Sequence, residues 1–451
     1  MKMKLAEIAK AINAQNDIEQ WKDVEVTSVS FDSRHLDQGS LFVPLQGAQD
    51  GHQYVPSAFT NGAVASLWAS DHEITDQTHP LLVVSDPLAA LQQLGKYYLH
   101  KINPIVVAVT GSNGKTTTKD MIASILSTQF NVAKTYANFN NEIGVPVTLL
   151  NMESNTEAVV VEMGMDRFGQ LDFLSKLVNP DIAVITMIGE AHIEFFGTRD
   201  KIADAKMEIT HGLKEDGTLV FNGDEPLLEE RVKDLAQRQM RFGRQLSNNL
   251  YATSVHDEPR QLSFTVNEWP DEEFTIPMVG EYNINNALAA MEVGKILHIT
   301  PAHMKQALAN VELTENRAEW VKGKNGEQIL SDVYNSNPTA AKEVLKTIAE
   351  TPVAGRRIAV LGDMLELGDA AAKLHASLAE EIDHQKIASV YLVGEQMKNL
   401  KDKLIQEGYP AEDIYHYAAS DLQQLIADLT TTLTGDDIVL LKASHGIHLE
   451  E

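Results

Sequence analysis

Ile105-Val-Val-Ala-Val-Thr-Gly-Ser-Asn-Gly-Lys-Thr-Thr-Thr118 runs from apolar, β-branched residues straight into a loop of glycines, hydroxyls and one lysine. A strand passing into such a loop reads as a nucleotide phosphate site. Gly111 and Gly114 let backbone N–H groups turn inward around phosphate oxygens, Lys115 supplies a positive point charge, and the Thr116 hydroxyl can reach a phosphate-bound Mg²⁺. Thr110, Ser112, Asn113 and Thr117 complete the loop. Its spacing departs from the common G-x-x-x-x-G-K-[ST] pattern, because Val109 stands at the place of the first glycine. A helix over Lys119–Thr128 is predicted behind it.

Outward from this loop the pattern alternates. Ile105–Val109, Ala158–Val161, Ile182–Met187 and Leu219–Asn222 are strand candidates with helical segments between several of them, which predicts a largely parallel sheet over 103–313. Ligands of such sheets gather outside the carboxyl ends of the strands. Those ends carry Lys115 and Thr116, then Glu162, then Glu190 with His192. Residues 1–102 hold short apolar runs and turns, at Ser40–Gly47, Gly62–Trp68 and Leu81–Ser85, and read as a small mixed α/β domain that opens on an amphipathic helix over 1–10. Pro104 marks the passage to the next domain, since proline disfavours helix at the residue before it. A third α/β unit is predicted over 314–451, with strands at Arg357–Leu361, Val390–Val393 and Ile438–Leu441 and a helix over Ala370–Glu381. The fold class is therefore α/β in three domains.

A chain of 451 residues is too long for one ordinary core. Its formal net charge of −27 repels nucleic acid and anionic membrane surfaces, so an anionic substrate must be held by local cations or metal ions. The absence of cysteine excludes disulfides, thiolate catalysis and cysteine-ligated metal, and fits a cytoplasmic protein. Apolar runs are strand-sized, so no membrane insertion is expected.

Several constellations have two readings. Thr116 and Glu162 offer the hard oxygen ligands that Mg²⁺ accepts, while a single Glu in an E-M-G turn is ordinarily structural. His192, in Gly189-Glu-Ala-His192, is either a loop hydrogen-bonder or a metal ligand. Lys206, in Asp204-Ala-Lys-Met-Glu208, reads most simply as a solvent-facing helix lysine. The loop Asn138-Phe-Asn-Asn-Glu-Ile-Gly-Val-Pro146 is either a polar ligand site through Asn138, Asn140, Asn141 and Glu142 or a capped turn before a helix. Asn283 and Asn286 either cap a helix or read the edge of a base. Asp332, in D-V-Y-N-S-N-P, has the character of a strand-end carboxylate, and the Arg317 guanidinium is suited to a transferring phosphate.

Taken together, T-G-S-N-G-K-T-T-T, E-M-G, G-E-A-H, Y-N-x-x-N and D-x-Y-N-x-N-P resemble, in this order, the Mur ligase family of bacterial cell-wall synthesis. The resemblance covers essentially the whole chain. Within the family, N-x-N-N-E-I-G-V-P at Asn138–Pro146, F-D-S-R at Phe31–Arg34, L-F-V-P-L-x-G with D-G-H at Leu41–His52, and G-D-M-x-E-L-G at Gly362–Gly368 resemble members that add D-alanyl-D-alanine to UDP-N-acetylmuramoyl-tripeptide. Ala443 departs from the K-G-S that is common in Leu441-Lys-Ala-Ser-His445.

The resemblance implies a UDP-sugar-binding domain at 1–102, a central P-loop ATPase at 103–313 and a C-terminal Rossmann-like domain at 314–451. It implies ATP and Mg²⁺ as cofactors and UDP-N-acetylmuramoyl-tripeptide and D-alanyl-D-alanine as substrates; a cytoplasmic monomer is expected. Thr116 and Glu162 would hold a first Mg²⁺, and His192 with a carbamylated Lys206 a second. Thr110 to Thr117, Asn283, Asn286, Arg317 and Asp332 would form the ATP site, with Lys115, His192, Lys206 and Arg317 serving catalysis. Ser33 and Arg34 would hold the UDP end, and Asn138, Asn140, Asn141 and Glu142 the substrate. A folate-polyglutamate ligase lacks the N-terminal module; a noncatalytic ATP-responsive scaffold would release no phosphate in response to substrate.

Overall fold

In the computed structural model, residues 1–74, 78–258, 260–314 and 317–450 are described. They form two compact α/β units, each assembled from separate stretches of chain: Met1–Val109, Gln129–Ala183 and Glu208–Thr218 in one, and Thr110–Thr128, Val184–Met207 and Leu219–Glu451 in the other. Glu315 and Asn316, at the junction expected near 313/314, and Glu451 lie outside the described residues. No helix among the described residues is long and apolar enough to cross a membrane.

In the first unit, Ser28–Ser30, Ser40–Phe42, Ala63–Ala69 and Leu81–Val84 pair in chain order as a four-stranded parallel sheet. The predicted opening helix is shortened. Met3–Lys4 pairs antiparallel with Glu25–Val26, and the helix covers Leu5–Ala11, because strand alternation buries Met3 while Lys4 stays outside. The helix Pro87–Ile102 is capped by Asp86, whose carboxylate accepts from Leu88 N at 2.8 Å, and ends on left-handed Asn103 just before Pro104. Its Gly95 lies against Pro146 of the helix Gly144–Leu150, where an added Cβ would stand 3.1 Å from the Pro146 Cα.

The phosphate-loop strand Ile105–Thr110 pairs in parallel with Ala158–Glu162, which pairs in turn with Val132–Lys134. Ala158–Glu162 is fully buried, as its β-branched run requires. Register sets Glu162 opposite Val109, at the carboxyl end of its strand.

In the second unit the loop enters its helix, Lys115–Leu126, directly at the lysine rather than at Lys119. Helices Tyr282–Ile296 and Pro301–Ala309 pack on it. Arg238–Gly243 runs parallel to Leu250–Glu258, which begins an antiparallel extension through Gln261–Val266 and Glu273–Ile276. A six-stranded sheet follows in the order Glu319–Lys322, Gln328–Asp332, Ile438–Lys442, Arg357–Gly362, Ser389–Val393, Ile414–Tyr417, antiparallel only at its first pair. Its last chain segment, Ile438–Lys442, lies between Gln328–Asp332 and Arg357–Gly362, and register sets Lys442 opposite Asp332 at their carboxyl ends. The helix predicted over Ala370–Glu381 is α-helical only at Ala371–Ala376, with 3₁₀ turns on both sides. The buried ring of His375 ties that turn down, bonding Ala371 O at 2.7 Å and accepting from Met364 N at 2.9 Å.

Candidate active site

Gly111 and Gly114 are glycines for steric reasons. A Cβ on Gly111 would stand 1.8 Å from Thr186 Oγ1, and one on Gly114, at φ +78°, would stand 2.3 Å from Asn286 Oδ1. The Lys115 ammonium folds onto its own loop, donating to Gly111 O at 2.9 Å and Ser112 O at 3.5 Å. A phosphate entering the loop would offer that ammonium stronger, charged acceptors.

A cavity of about 570 Å³ opens beside the loop, within the size range of small-molecule and cofactor sites. Its walls include Asn113, Gly114, Thr117, Asn283, Asn286, Arg317 and Asp332 of the sequence-derived set. Met187, Met278, Ala318 and Ala340 add an apolar face suited to a planar base, and Arg244 and Lys442 add cations that an acidic chain must supply locally. Asn283 and Asn286 turn donors toward protein: Asn283 Nδ2 bonds Val279 O at 2.8 Å, and Asn286 Nδ2 bonds Asn283 Oδ1 at 2.9 Å. Thr118 Oγ1 donates to Asn286 Oδ1 at 3.2 Å, so this amide pair braces the Gly114 turn while lining the cavity.

Arg317 joins the loop to the six-stranded sheet. Its Nη2 donates to Thr116 Oγ1 at 3.2 Å, and its guanidinium carbon lies 3.9 Å from the centre of the Tyr334 ring. Its Nε is buried with no partner among the described residues. Lys442 is buried against Asp332, with Nζ to Oδ2 at 2.9 Å; burial pushes its ammonium down, and the neighbouring carboxylate opposes that shift.

Lys206 is 1 % exposed on the helix Arg199–Met207, contrary to the solvent-facing reading of its sequence. Burial, then the nearby charge of Lys115, pushes its pKa well down toward the neutral amine. His192 adopts a left-handed backbone and its Nδ1 lies 2.5 Å from Glu366 Oε2.

The first unit contributes a separate set. Asn140 Nδ2 donates to Glu162 Oε1 at 2.9 Å and Thr135 Oγ1 accepts from Glu162 N at 2.9 Å, while the buried Oε2 has no partner among the described residues. An oriented, dry carboxylate oxygen of this kind is costly unless a ligand completes it. Asn141 Oδ1 accepts from Ile143 N and Gly144 N, so it caps the following helix. Asn138 O accepts from Asn140 N, and Glu142 O accepts from Gln92 Nε2. Phe139 of this loop meets Phe31 at 5.9 Å between ring centres, which brings the F-D-S-R turn to the asparagine loop across a hundred residues of sequence. There Arg34 is exposed and makes two 2.9 Å bonds to Asp32, and Ser33 O accepts from Asn61 Nδ2 at 2.7 Å.

Asp50, His52 and His72 form the group of metal-ligand types found clustered among the described residues. His52 Nε2 accepts from Ala69 N at 3.0 Å, so its Nδ1 carries the proton and donates to Asp50 Oδ1 at 2.7 Å. His72 stacks on that ring at 3.9 Å and is held between Asp71 and Asp50. With the His52 lone pair spent on backbone, this is a charge-paired brace of the first unit rather than a metal centre.

Sequence reasoning missed Lys442, Tyr334, Glu366 and Asn337. Each lies in or beside a quoted motif, and the available signal was the crowding of polar side chains at strand ends.

Three family models match the chain in order: Mur ligase family, catalytic domain over residues 25–99, Mur ligase middle domain over 109–294, and Mur ligase, glutamate ligase domain over 316–445. A relative from Bacillus subtilis (strain 168), named UDP-N-acetylmuramoyl-tripeptide--D-alanyl-D-alanine ligase, is 38% identical over 452 residues, covering 100% of this chain and 97% of the relative. The chain belongs to the Mur ligase family. Among solved structures, MurF from Acinetobacter baumannii superposes with a TM-score of 0.87 at 27% identity, covering 100% of this chain and 97% of that one. MurF ligase from Thermotoga maritima in complex with ADP gives 0.80 at 28% identity, covering 94% and 96%.

Proposed function

We propose that this chain is an ATP-dependent ligase that joins D-alanyl-D-alanine to UDP-N-acetylmuramoyl-tripeptide, with ADP and phosphate as products, in peptidoglycan precursor synthesis. The observation that carries the reading is the cavity where the phosphate loop, Arg317 and Lys442 converge, in a chain alike over its full length to ligases of that name. In this reading the domains run 1–102, 103–313 and 314–451, and the protein works as a cytoplasmic monomer.

A carboxylate is a poor electrophile at neutral pH, so it must be activated. A tripeptide carboxylate oxygen attacks the γ-phosphorus, the bond to ADP breaks, and an acyl phosphate forms. The dipeptide amine then attacks the carbonyl carbon, loses a proton, and the C–O bond to phosphate breaks. Lys115 and Arg317 neutralise charge on the transferring group and hold it in line, which is the larger part of catalysis in such transfers. Ser33 and Arg34 hold the UDP end, and the Asn138–Glu142 loop, packed against Phe31, holds the peptide end.

By resemblance to the family, Glu162, with its unpaired, buried carboxylate oxygen, and Thr116, with its hydroxyl, would each offer Mg²⁺ a hard ligand. Mg²⁺ bound there would supply charge neutralisation on phosphate oxygens. Lys206, buried and driven toward the neutral amine, is suited to add to CO₂, releasing a proton and leaving a carbamate whose oxygens would serve a second Mg²⁺ with His192.

The test is phosphate release from ATP with the two substrates supplied singly and together. Release that requires both, with the dipeptide-extended product seen by mass, supports the reading; release indifferent to the dipeptide contradicts it.

A further inference from the structure

The phosphate loop is bonded, side chain to side chain, to the start of the helix Pro338–Glu350. Asn113 Nδ2 donates to Asn337 Oδ1 at 3.1 Å, and Asn337 Nδ2 donates to Asn113 Oδ1 at 2.6 Å. The direction of these bonds is settled by a third. Asn337 caps its helix, and its Oδ1 accepts from Ala340 N at 3.1 Å, so that atom is the carbonyl oxygen and the opposite atom is the donor. Asn337 is 2 % exposed, leaving the amide one orientation. On its other side Asn113 is pinned through its backbone, whose carbonyl accepts from Thr186 Oγ1 at 2.5 Å.

We propose that Asn337 is a positioning residue of the ligase reaction: through the reciprocal amide pair it sets the shape of the phosphate loop and joins two walls of the cavity. One wall is the loop at Asn113 and Gly114; the other is the helix start at Thr339 and Ala340. A second bond joins the same helix start to the G-E-A-H loop, because Thr339 Oγ1 donates to Glu190 Oε2 at 2.6 Å. Loss of the amide pair therefore leaves the cavity closed enough to take ATP while the γ-phosphate loses its alignment. A displacement on the order of 1 Å at that point costs about a hundredfold in rate. The inference rests on the reading that the loop holds ATP.

Asn337→Ser keeps a capping oxygen but cannot make the reciprocal pair. It is expected to melt within a few degrees of the parent, to lower kcat at least tenfold, and to change the KM for ATP less than threefold. Asn113→Ser leaves the helix cap untouched and is expected to do the same, and the double variant is to be no slower than either single one, since both remove one unit. Asn113→Ser also keeps the test decisive if Asn337→Ser fails to fold. A folded single variant with kcat within twofold of the parent overturns the proposal, as do two losses that multiply in the double variant. Failure of the underlying reading looks different: an active Lys115→Ala would remove the ATP site itself, whereas an inactive Lys115→Ala beside a fully active Asn113→Ser removes this inference alone.

Discussion

His192 and Glu366 meet through Nδ1 and Oε2 at 2.5 Å, and both stand on left-handed backbone, at φ +64° and +60°. Glu194 N also donates to Glu366 O at 3.1 Å, so the G-E-A-H loop and the G-D-M-x-E-L-G loop are joined through side chain and backbone. Left-handed residues other than glycine are uncommon and persist where surrounding bonds determine them. The carboxylate holds the ring through Nδ1, and in the proposed reading Nε2 then serves the ligand. Glu366→Ala should lower kcat roughly tenfold to a hundredfold, the usual range for losing the orienting partner of a ligand histidine. Turnover unchanged in a folded Glu366→Ala would remove His192 from the catalytic set.

Lys115→Ala is expected to abolish turnover and leave the fold intact, because the ammonium donates to the carbonyls of Gly111 and Ser112 in the loop. Loss of one charged contact to a developing anion costs on the order of 3 kcal/mol in the barrier. Circular dichroism with a phosphate-release assay checks both halves, and near-normal release by the folded variant would contradict the assignment.

Arg34 lies far along the substrate from the reacting carboxylate in the proposed reading, and its exposed side chain is held by Asp32. Arg34→Ala should raise the KM for the UDP-sugar peptide several times more than the KM for ATP, the pattern of a lost remote binding contact. Equal changes in both constants would count against the UDP role.

The Asp50–His72 brace makes the stability of the first unit pH-dependent. Hydrogen bonds to the carboxylates of Asp71 and then Asp50 raise the His72 pKa above its ordinary value, so its contribution is complete below about pH 6.5 and is lost as pH rises through the folded value. Asp50 is lowered to about 2, chiefly by the His52 N–H, so its share is present above the unfolded carboxylate range and is lost only as pH falls toward that value. The difference in melting temperature between the parent and His72→Asn should be largest near about pH 5 and vanish in alkali. An equal difference at every pH would show that the ring acts by packing alone.

How much of this was legible in sequence depends on where the deciding contacts come from. Strands such as Ile105–Thr110 and Ala158–Glu162 were readable because buried parallel strands need unbroken apolar runs. The loop, Arg317 and Asp332 were readable because phosphate chemistry restricts residue type. Lys206 was not: Asp204-Ala-Lys-Met-Glu208 has the local composition of a solvated helix face, and its burial comes from tertiary packing. Lys442 escaped notice because an apolar strand hides a terminal lysine whose partner, Asp332, lies 110 residues away. The early start of the helix at Lys115 follows from Gly114 in the left-handed region, which no periodicity reveals.

For Lys206, extra density of carbamate size is expected on Nζ in a crystal structure with nucleotide bound, since a buried ammonium beside Lys115 is unfavourable and a neutral amine accepts CO₂. Lys206→Ala should be inactive and partly restored by small added carboxylates. An unmodified side chain together with a fully active Lys206→Ala would return this lysine to a packing role.

The central claim is that ATP activates the tripeptide's terminal carboxylate before the amide forms, and an isotope measurement reaches it directly. UDP-N-acetylmuramoyl-tripeptide carrying the heavy oxygen isotope in that carboxylate is incubated with the protein, ATP, Mg²⁺ and D-alanyl-D-alanine, and the released phosphate is weighed by mass spectrometry. The account predicts that each phosphate carries a single heavy oxygen, delivered when the acyl C–O bond breaks, in step with formation of the dipeptide-extended product. Phosphate released without label, or product formed without phosphate, would contradict it.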